Sequence, residues 1–229
     1  PSGKLAATWA VHYGDYPCAE NFSGLDGDLS KEEYREGIYT GYRYFSSFGI
    51  KPLFTFGSGL SYTSFSIKFT GLKITGTVIE VKFSVKNTGE VYSGREVVQV
   101  YITPPQTGTA REYHRLAGFA KTSILMPGGT QQVVIKIEQK QAASFSEETG
   151  AWVIEKGKYG IWAGNSSSSL SLEALLDAEE TVIIENTDRI CKKTAEFQEL
   201  GVAAFAESRT KKWLAEAEER KIPVFAFMP

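Results

Sequence analysis

The sequence predicts a mainly β fold built around one antiparallel β-sandwich. Three features of residues 65–172 carry that prediction. Short segments alternate apolar and polar residues with period two, which places the apolar side chains on one face of a strand. Turn-forming residues punctuate these segments at regular intervals. No helical period intervenes. At 229 residues, 42% hydrophobic and 23% charged, the chain has an ordinary globular composition and can bury a core.

Residues 1–64 are a polar, aromatic and glycine-rich run. A short helix is expected near Lys31–Glu36, and the apolar periodicity is too sparse for an independent core, so this segment needs a neighbour. The first strand is SFSIKFT, with Phe65, Ile67 and Phe69 on one face. In VIEVKFSVK, Ile79, Val81, Phe83 and Val85 alternate with Glu80, Lys82, Ser84 and Lys86, the pattern of a half-buried strand. Val98, Val100 and Ile102 mark another strand, and Val133, Ile135 and Ile137 one more. Asn87–Gly89 (NTG), Pro104–Gly108 (PPQTG) and Pro127–Gly129 (PGG) supply the turns. AWVIE and KYGIWAG are expected to form a hairpin through Lys156 and Gly157. About seven strands of this kind indicate an immunoglobulin-like sandwich, and the missing Cys–Trp–Cys signature of antibody domains favours the fibronectin type III-like variant.

A mixed strand and helix tail occupies 173–229. Thr181–Glu185 reads as one more strand, and 210–221 as a helix with Trp213, Leu214 and Ala217 on one face. Lys212, Glu216 and Arg220 stand at successive i,i+4 spacings, and Pro223 ends the helix before the apolar run Val224–Met228.

A net charge of −2 gives no basic surplus for nucleic acid or an anionic membrane. No apolar run approaches the roughly 20 residues of a membrane-spanning helix. Cys18 and Cys191 lie far apart without framework spacing and read as thiols rather than a disulfide. Two histidines, His12 and His114, without HExxH or CxxC make a transition-metal site improbable. The chain opens without methionine, like a start inside a larger protein, so the missing signal peptide says little about export. The location is left open, with the cytoplasm favoured over secretion.

Several motifs carry chemistry only weakly. Gly57 and Gly59 form a G-x-G, but a strand follows and the third glycine of a dinucleotide fingerprint is missing, so a tight turn is the better reading. Ser61 has no nucleophile-elbow context. Asp15, Asp26, Asp28 and Glu36 are early candidates for a catalytic carboxylate pair, against the simpler reading of surface charge. The aromatics of GYRYF could stack on a sugar, although packing at a domain seam is favoured. Asn21 and Asn165 begin N-x-S sequons. His114 with Arg111 and Arg115 reads as a solvated loop able to approach an anionic or hydroxyl-rich partner.

Taken in order, several segments resemble the C-terminal part of a glycoside hydrolase family 3 enzyme, the β-glucosidase group. PSGKLAATWA and EGIYTGYRYFSSFGIKPLFTFGSGLSYTSF resemble the end of that family's α/β sandwich domain. VKNTG, GREVVQVYI, RLAGFAKTSILMPGG and WVIEKGKYGIWAGNSSS resemble its fibronectin type III-like domain. Ala6, Ser46 and Thr55 depart from the usual proline, aspartate and proline. The resemblance divides the chain into 1–64, the C-terminal segment of an α/β sandwich domain; 65–172, the fibronectin-like domain; and 173–229, a connector or extension. TVIIENTDRICKKTAEFQEL is similar to the connector of permuted members, in which a barrel follows.

The resemblance implies a parent that removes terminal β-linked sugars with retention, using two carboxylates about 5 Å apart. The family's catalytic aspartate lies in a TIM barrel and its acid/base glutamate earlier in the α/β domain. Neither motif occurs here, so no catalytic, cofactor-binding or metal residue is assigned and no cofactor is expected. The expected partners are the parent's remaining catalytic domains and its β-glucoside or oligosaccharide substrate. Nucleic acid and membrane are not expected, and a homo-oligomer is left open. The alternatives are a stand-alone carbohydrate-binding or adhesion module, or an accessory chain completing an active site with a separate barrel chain. On the resemblance, Gly41–Phe65 is the junction between the two domains, with Phe54, Phe56 and Tyr62 packing at the seam.

Overall fold

A computed structural model describes residues 1–107, 110–187, 200–201 and 204–227. Along the chain these form α1 (Tyr42–Phe48), β1 (Phe65–Thr75), β2 (Val78–Asn87), β3 (Val97–Thr103), β4 (Arg115–Lys121), β5 (Thr130–Glu138), β6 (Ser144–Ser146), β7 (Ala151–Ile154), β8 (Gly157–Ser166), β9 (Ser169–Ala178), β10 (Val182–Asn186), α2 (Ala204–Glu219) and β11 (Val224–Ala226). The strands make a three-stranded sheet β1-β2-β5, a five-stranded sheet β11-β9-β8-β3-β4 and a small sheet β10-β7-β6. Pairing is antiparallel throughout except for β11 on β9.

The period-two pattern does what the sequence predicts. Ile79, Val81, Phe83 and Val85 of β2 and Val133, Ile135 and Ile137 of β5 are buried against Val98, Val100 and Ile102 of β3 and against Ile161 and Leu176 of the same opposing sheet. Phe83 is fully buried, and each such side chain contributes about 1.5–3 kcal/mol by leaving water. Asn87 ties one end of this sandwich. Its amide donates to the carbonyls of Tyr92 and Leu125, and its oxygen accepts from the Thr63 hydroxyl and the Gly89 N–H.

Four local expectations are corrected. The segment Lys31–Glu36 is not helical; turns occupy 35–38. Glu33 instead pairs with Lys31 and Arg35, two residues away on either side, a spacing a helix does not support. AWVIE and KYGIWAG do not pair. The edges of β7 are taken by β6 and β10, and β8 crosses to the five-stranded sheet. β4 and β9 are strands that the alternation did not reveal. In β4, Gly118 interrupts the pattern because a Cβ there would stand 2.7 Å from the Ile135 side chain. In β9, Ala174, Leu175 and Leu176 are all buried, so both faces are covered. Fourth, the helix of the tail begins earlier than position 210, at Ala204.

The strand expected at Thr181–Glu185 is β10. β9 runs through residue 172, so the sheet itself continues to Ala178. The second cysteine, Cys191, lies outside the described residues; Cys18 is a free thiol. Among the described residues no helix is long and apolar enough to cross a membrane.

Candidate functional site

The feature that organises this chain is the outer face of the five-stranded sheet, which is buried along β3 although Phe119 at its β4 edge is exposed. On β3 the residues alternating with Val98, Val100 and Ile102 are Gln99, Tyr101 and Thr103, all 3% exposed or less. Residues 1–64 and α2 cover them, forming a second core of Tyr39, Tyr101, Tyr113, Trp162, Trp213 and smaller side chains.

Several polar atoms are matched across this seam, although the Trp162 and Trp213 indole nitrogens are buried without a hydrogen-bond partner. The Gln99 amide donates to the carbonyls of Gly57 and Asn165 at 3.1 and 2.9 Å, and its oxygen accepts from the Tyr101 hydroxyl at 2.6 Å. Thr103 Oγ1 and His114 Nδ1 are 2.9 Å apart. The Tyr113 N–H donates to Ser47 Oγ, the Leu116 N–H to the Tyr42 hydroxyl, and the Tyr39 hydroxyl to the Arg111 carbonyl. Rings fill the space between: Tyr42 stacks on Phe56 at 4.7 Å and meets Tyr101 edge-on at 5.8 Å. The G-x-G turn belongs to this seam. Gly57 has φ +76°, where an L side chain is strained, and it abuts the Gln99 side chain.

The loop around His114 is not solvated, contrary to the sequence reading. Arg111, Glu112 and His114 are each 5% exposed or less. Arg111 pairs with Glu155 at 2.9 Å. Arg115 pairs with Glu112 and donates to the carbonyls of Gln141 and Ala143 and to Ser144 Oγ. Burial pushes His114 down to about pH 3, with the Arg209 charge acting in the same direction, so the imidazole is neutral. Burial works against the Glu112 charge, but the Arg115 guanidinium outweighs it and holds this carboxyl below the usual range.

The early carboxylates are structural in their surroundings. Asp15 accepts the His12 N–H, and Asp26 accepts that of Asp28. Asp28 accepts the hydroxyl and N–H of Ser30, bonds that lower its pKa. One Glu36 oxygen is buried without a hydrogen-bond partner. A cavity of about 280 Å³ opens at the edge of the seam, lined by Ser46, Thr55, His114, Ser168 and Arg209 among others. No carboxylate among the described residues lines it. Among the described residues, no group of three or more His, Cys, Asp or Glu side chains could hold a metal ion. Both sequon amides are engaged, Asn21 with the Glu33 carbonyl and Asn165 with Glu96.

Of the residues expected at the seam, Phe56 packs there, whereas Phe54 is 51% and Tyr62 76% exposed. Phe54 meets Trp9 and Tyr62 meets Tyr92 instead. The aromatics of GYRYF do pack: Phe45 is buried and Tyr42 and Tyr44 are partly so. Sequence reasoning missed Gln99, Tyr101 and Thr103. Their signal is that the polar positions of this strand carry no charge, unlike the solvent side of β2.

A family model for a fibronectin type III-like domain matches residues 96–167. A β-glucosidase of Kluyveromyces marxianus is 39% identical over 171 residues, 74% of this chain and 20% of that protein. The structure of a β-glucosidase from Paenibacillus barengoltzii superposes with a TM-score of 0.77 at 36% identity, covering 82% of this chain and 22% of that one. A GH3 β-glucosidase of Bifidobacterium adolescentis matches with a TM-score of 0.67 at 27% identity, over 92% of this chain and 30% of that one. The chain thus spans about a fifth of the length of the β-glucosidases it matches in sequence. Residues 1–172 are three quarters of the chain, so the last match also runs into the tail.

Proposed function

We propose, from the premise that this chain is the C-terminal part of a glycoside hydrolase family 3 β-glucosidase, that it is the non-catalytic brace of that enzyme. The intact protein hydrolyses terminal β-glycosidic bonds with retention, and this chain supplies no catalytic, cofactor-binding or metal-ligating residue. Residues 1–64 complete an α/β domain whose remainder lies elsewhere in the parent, and the sandwich, up to the last residue of its sheet, holds that segment in place.

One observation carries the reading. Among the described residues, twelve of the twenty-one exposed large hydrophobic side chains lie in residues 1–64, including Trp9, Leu29 and Leu60 at 55, 89 and 85% exposure. An exposed apolar surface of this extent marks a face that another part of the protein covers. The same segment is attached to the sheet through the Gly57 carbonyl, which accepts from the Gln99 amide, and through the Tyr42 ring, which meets Tyr101 edge-on.

A free-standing sugar-binding module built on the sandwich would need Tyr and Trp on an exposed flat sheet face, but Tyr101, Tyr113 and Trp162 are buried beneath residues 1–64 and α2, and the exposed Trp9, Tyr13, Tyr34 and Tyr62 lie in residues 1–64, outside the strands of the sandwich. The test is an assay of the isolated chain and of the parent on aryl β-glucosides. The parent is expected to turn over and the isolated chain to be inert. Turnover by the chain alone overturns the proposal.

A further inference from the structure

The solvent face of the β1-β2-β5 sheet carries a charge pattern that the brace does not use. Lys68, Lys73, Lys82, Lys86 and Lys136 all point away from the core and are exposed. Glu80, which pairs with Lys136 at 3.5 Å, and Glu138 oppose them on this face, giving it a net charge of +3 within a chain of net charge −2. The rest of the chain, with 20 basic and 25 acidic residues, is therefore acidic by five charges. Pairing places Lys68 opposite Ser84, and Ser84 opposite Gln132; Lys86 stands opposite Ser66 and Thr130. Ammonium groups thus interleave with hydroxyls and an amide on a rigid grid of roughly 5 Å between strands and 7 Å along them.

We propose that this face docks an acidic polysaccharide, a linear chain of uronic-acid sugars. Lysines act as point charges for spaced single carboxylates, and the interleaved Ser, Thr and Gln side chains meet sugar hydroxyls. The exposed side chains of this face include no aromatic ring, which removes the base stacking that single-stranded nucleic acid uses. Residues 1–64 and α2 pack on the opposite sheet, so this face points away from the segment whose apolar surface the remaining parent covers. The choice of a glycan among polyanions rests on the β-glucosidase reading; the charge pattern does not.

Native gels containing polygalacturonate, neutral laminarin or a single-stranded oligonucleotide test the proposal on the 229-residue chain. Retardation is expected with polygalacturonate and not with laminarin, weakening about tenfold as salt rises from about 50 to 200 mM. The double variant K68E/K82E is expected to lose it while keeping its circular dichroism; should that variant misfold, K86Q/K136Q serves, with partial loss expected. An unretarded wild-type chain overturns the proposal, as does undiminished retardation of the charge variants. Equal capture of the oligonucleotide overturns it in favour of unspecific polyanion attraction. Aryl β-glucoside turnover by the parent carrying K68E/K82E is expected to be unchanged. A parent inactive even in wild-type form strikes the β-glucosidase reading and leaves the polyuronate result standing.

Discussion

The five-stranded sheet buries much of both faces, and the two faces are built differently. Its inner side packs mainly aliphatic residues against β2 and β5, as Val98, Val100 and Ile102 illustrate, with the Tyr159 hydroxyl bonded locally to Glu155. Its outer side packs tyrosines, tryptophans, Gln99, Thr103 and His114 beneath residues 1–64 and α2, and hydrogen bonds with particular partners fix Gln99, Tyr101, Thr103, Tyr42 and Ser47, while the Trp162 and Trp213 indole nitrogens are buried without a hydrogen-bond partner. The first is a core that any apolar residues of the right volume would sustain. The second is an interface between dissimilar segments, where hydrogen-bond geometry fixes the orientation of one on the other. It behaves as a domain seam that happens to lie within one chain.

The comparison breaks most sharply if the sandwich itself is opened. Phe83→Ala is expected to cost about 3–5 kcal/mol, because the side chain is fully buried between the sheets. Urea unfolding followed by circular dichroism should show the midpoint falling for strands and helix together. Loss of α2 alone, with the strands unaffected, would contradict the ranking of the two cores.

Acid separates the faces next, since only the outer one contains buried titrating groups of this kind. His114 is neutral in the fold down to about pH 3, whereas an unfolded histidine takes up its proton near pH 6.5. Between those values the unfolded state binds more protons, so the contribution is complete above about pH 6.5 and is lost progressively as the pH falls. The slope is at most about 1.4 kcal/mol per pH unit for this one group. Glu112, held ionised by Arg115, acts in the same direction at the acid end. Stability measured from pH 7 to pH 4 should decline less steeply in His114→Phe than in the wild type. Parallel curves would remove His114 from the account.

The smallest expected effect sharpens the seam alone. Gly49 has φ +72° after α1, and a Cβ there would stand 2.6–2.8 Å from the Phe205 ring of α2. Gly49→Ala should cost about 1–2 kcal/mol from the left-handed backbone and displace Phe205. Faster hydrogen exchange in α2, with sandwich amides unchanged, is the expected signature. Uniform acceleration in both regions would mean that the two cores unfold as one unit.

Legibility followed the same division. The strands of the inner core were plain because one sheet face met solvent and alternation survived: Ile79 to Val85 against Glu80 to Lys86. Where both faces are covered, as in Ala174–Leu175–Leu176, the alternation vanishes and with it the signal. Gly118 removed it in β4 for a different reason, the close approach of Ile135. The hairpin assigned through Lys156 and Gly157 failed because a turn signal reports a change of direction and not which strand is waiting afterwards. His114 and the arginines beside it looked solvated because charged residues usually are; of the pairs that accompany their burial, Arg115–Glu112 is local, whereas Arg111–Glu155 joins positions that only folding brings together.

The sequence by itself determined the sandwich, its principal apolar faces, and the likeness to family 3 β-glucosidases through motifs whose order and spacing survive in the linear chain. Those are local properties, set by the two-residue period of a strand and by the backbone needs of turns. Only the tertiary structure decided that Gln99, Tyr101 and Thr103 face a second layer, that α2 folds back to help build it, and that many apolar residues of 1–64 stay exposed. Those depend on which surfaces meet, a choice made by long-range packing that the period of a single strand does not encode.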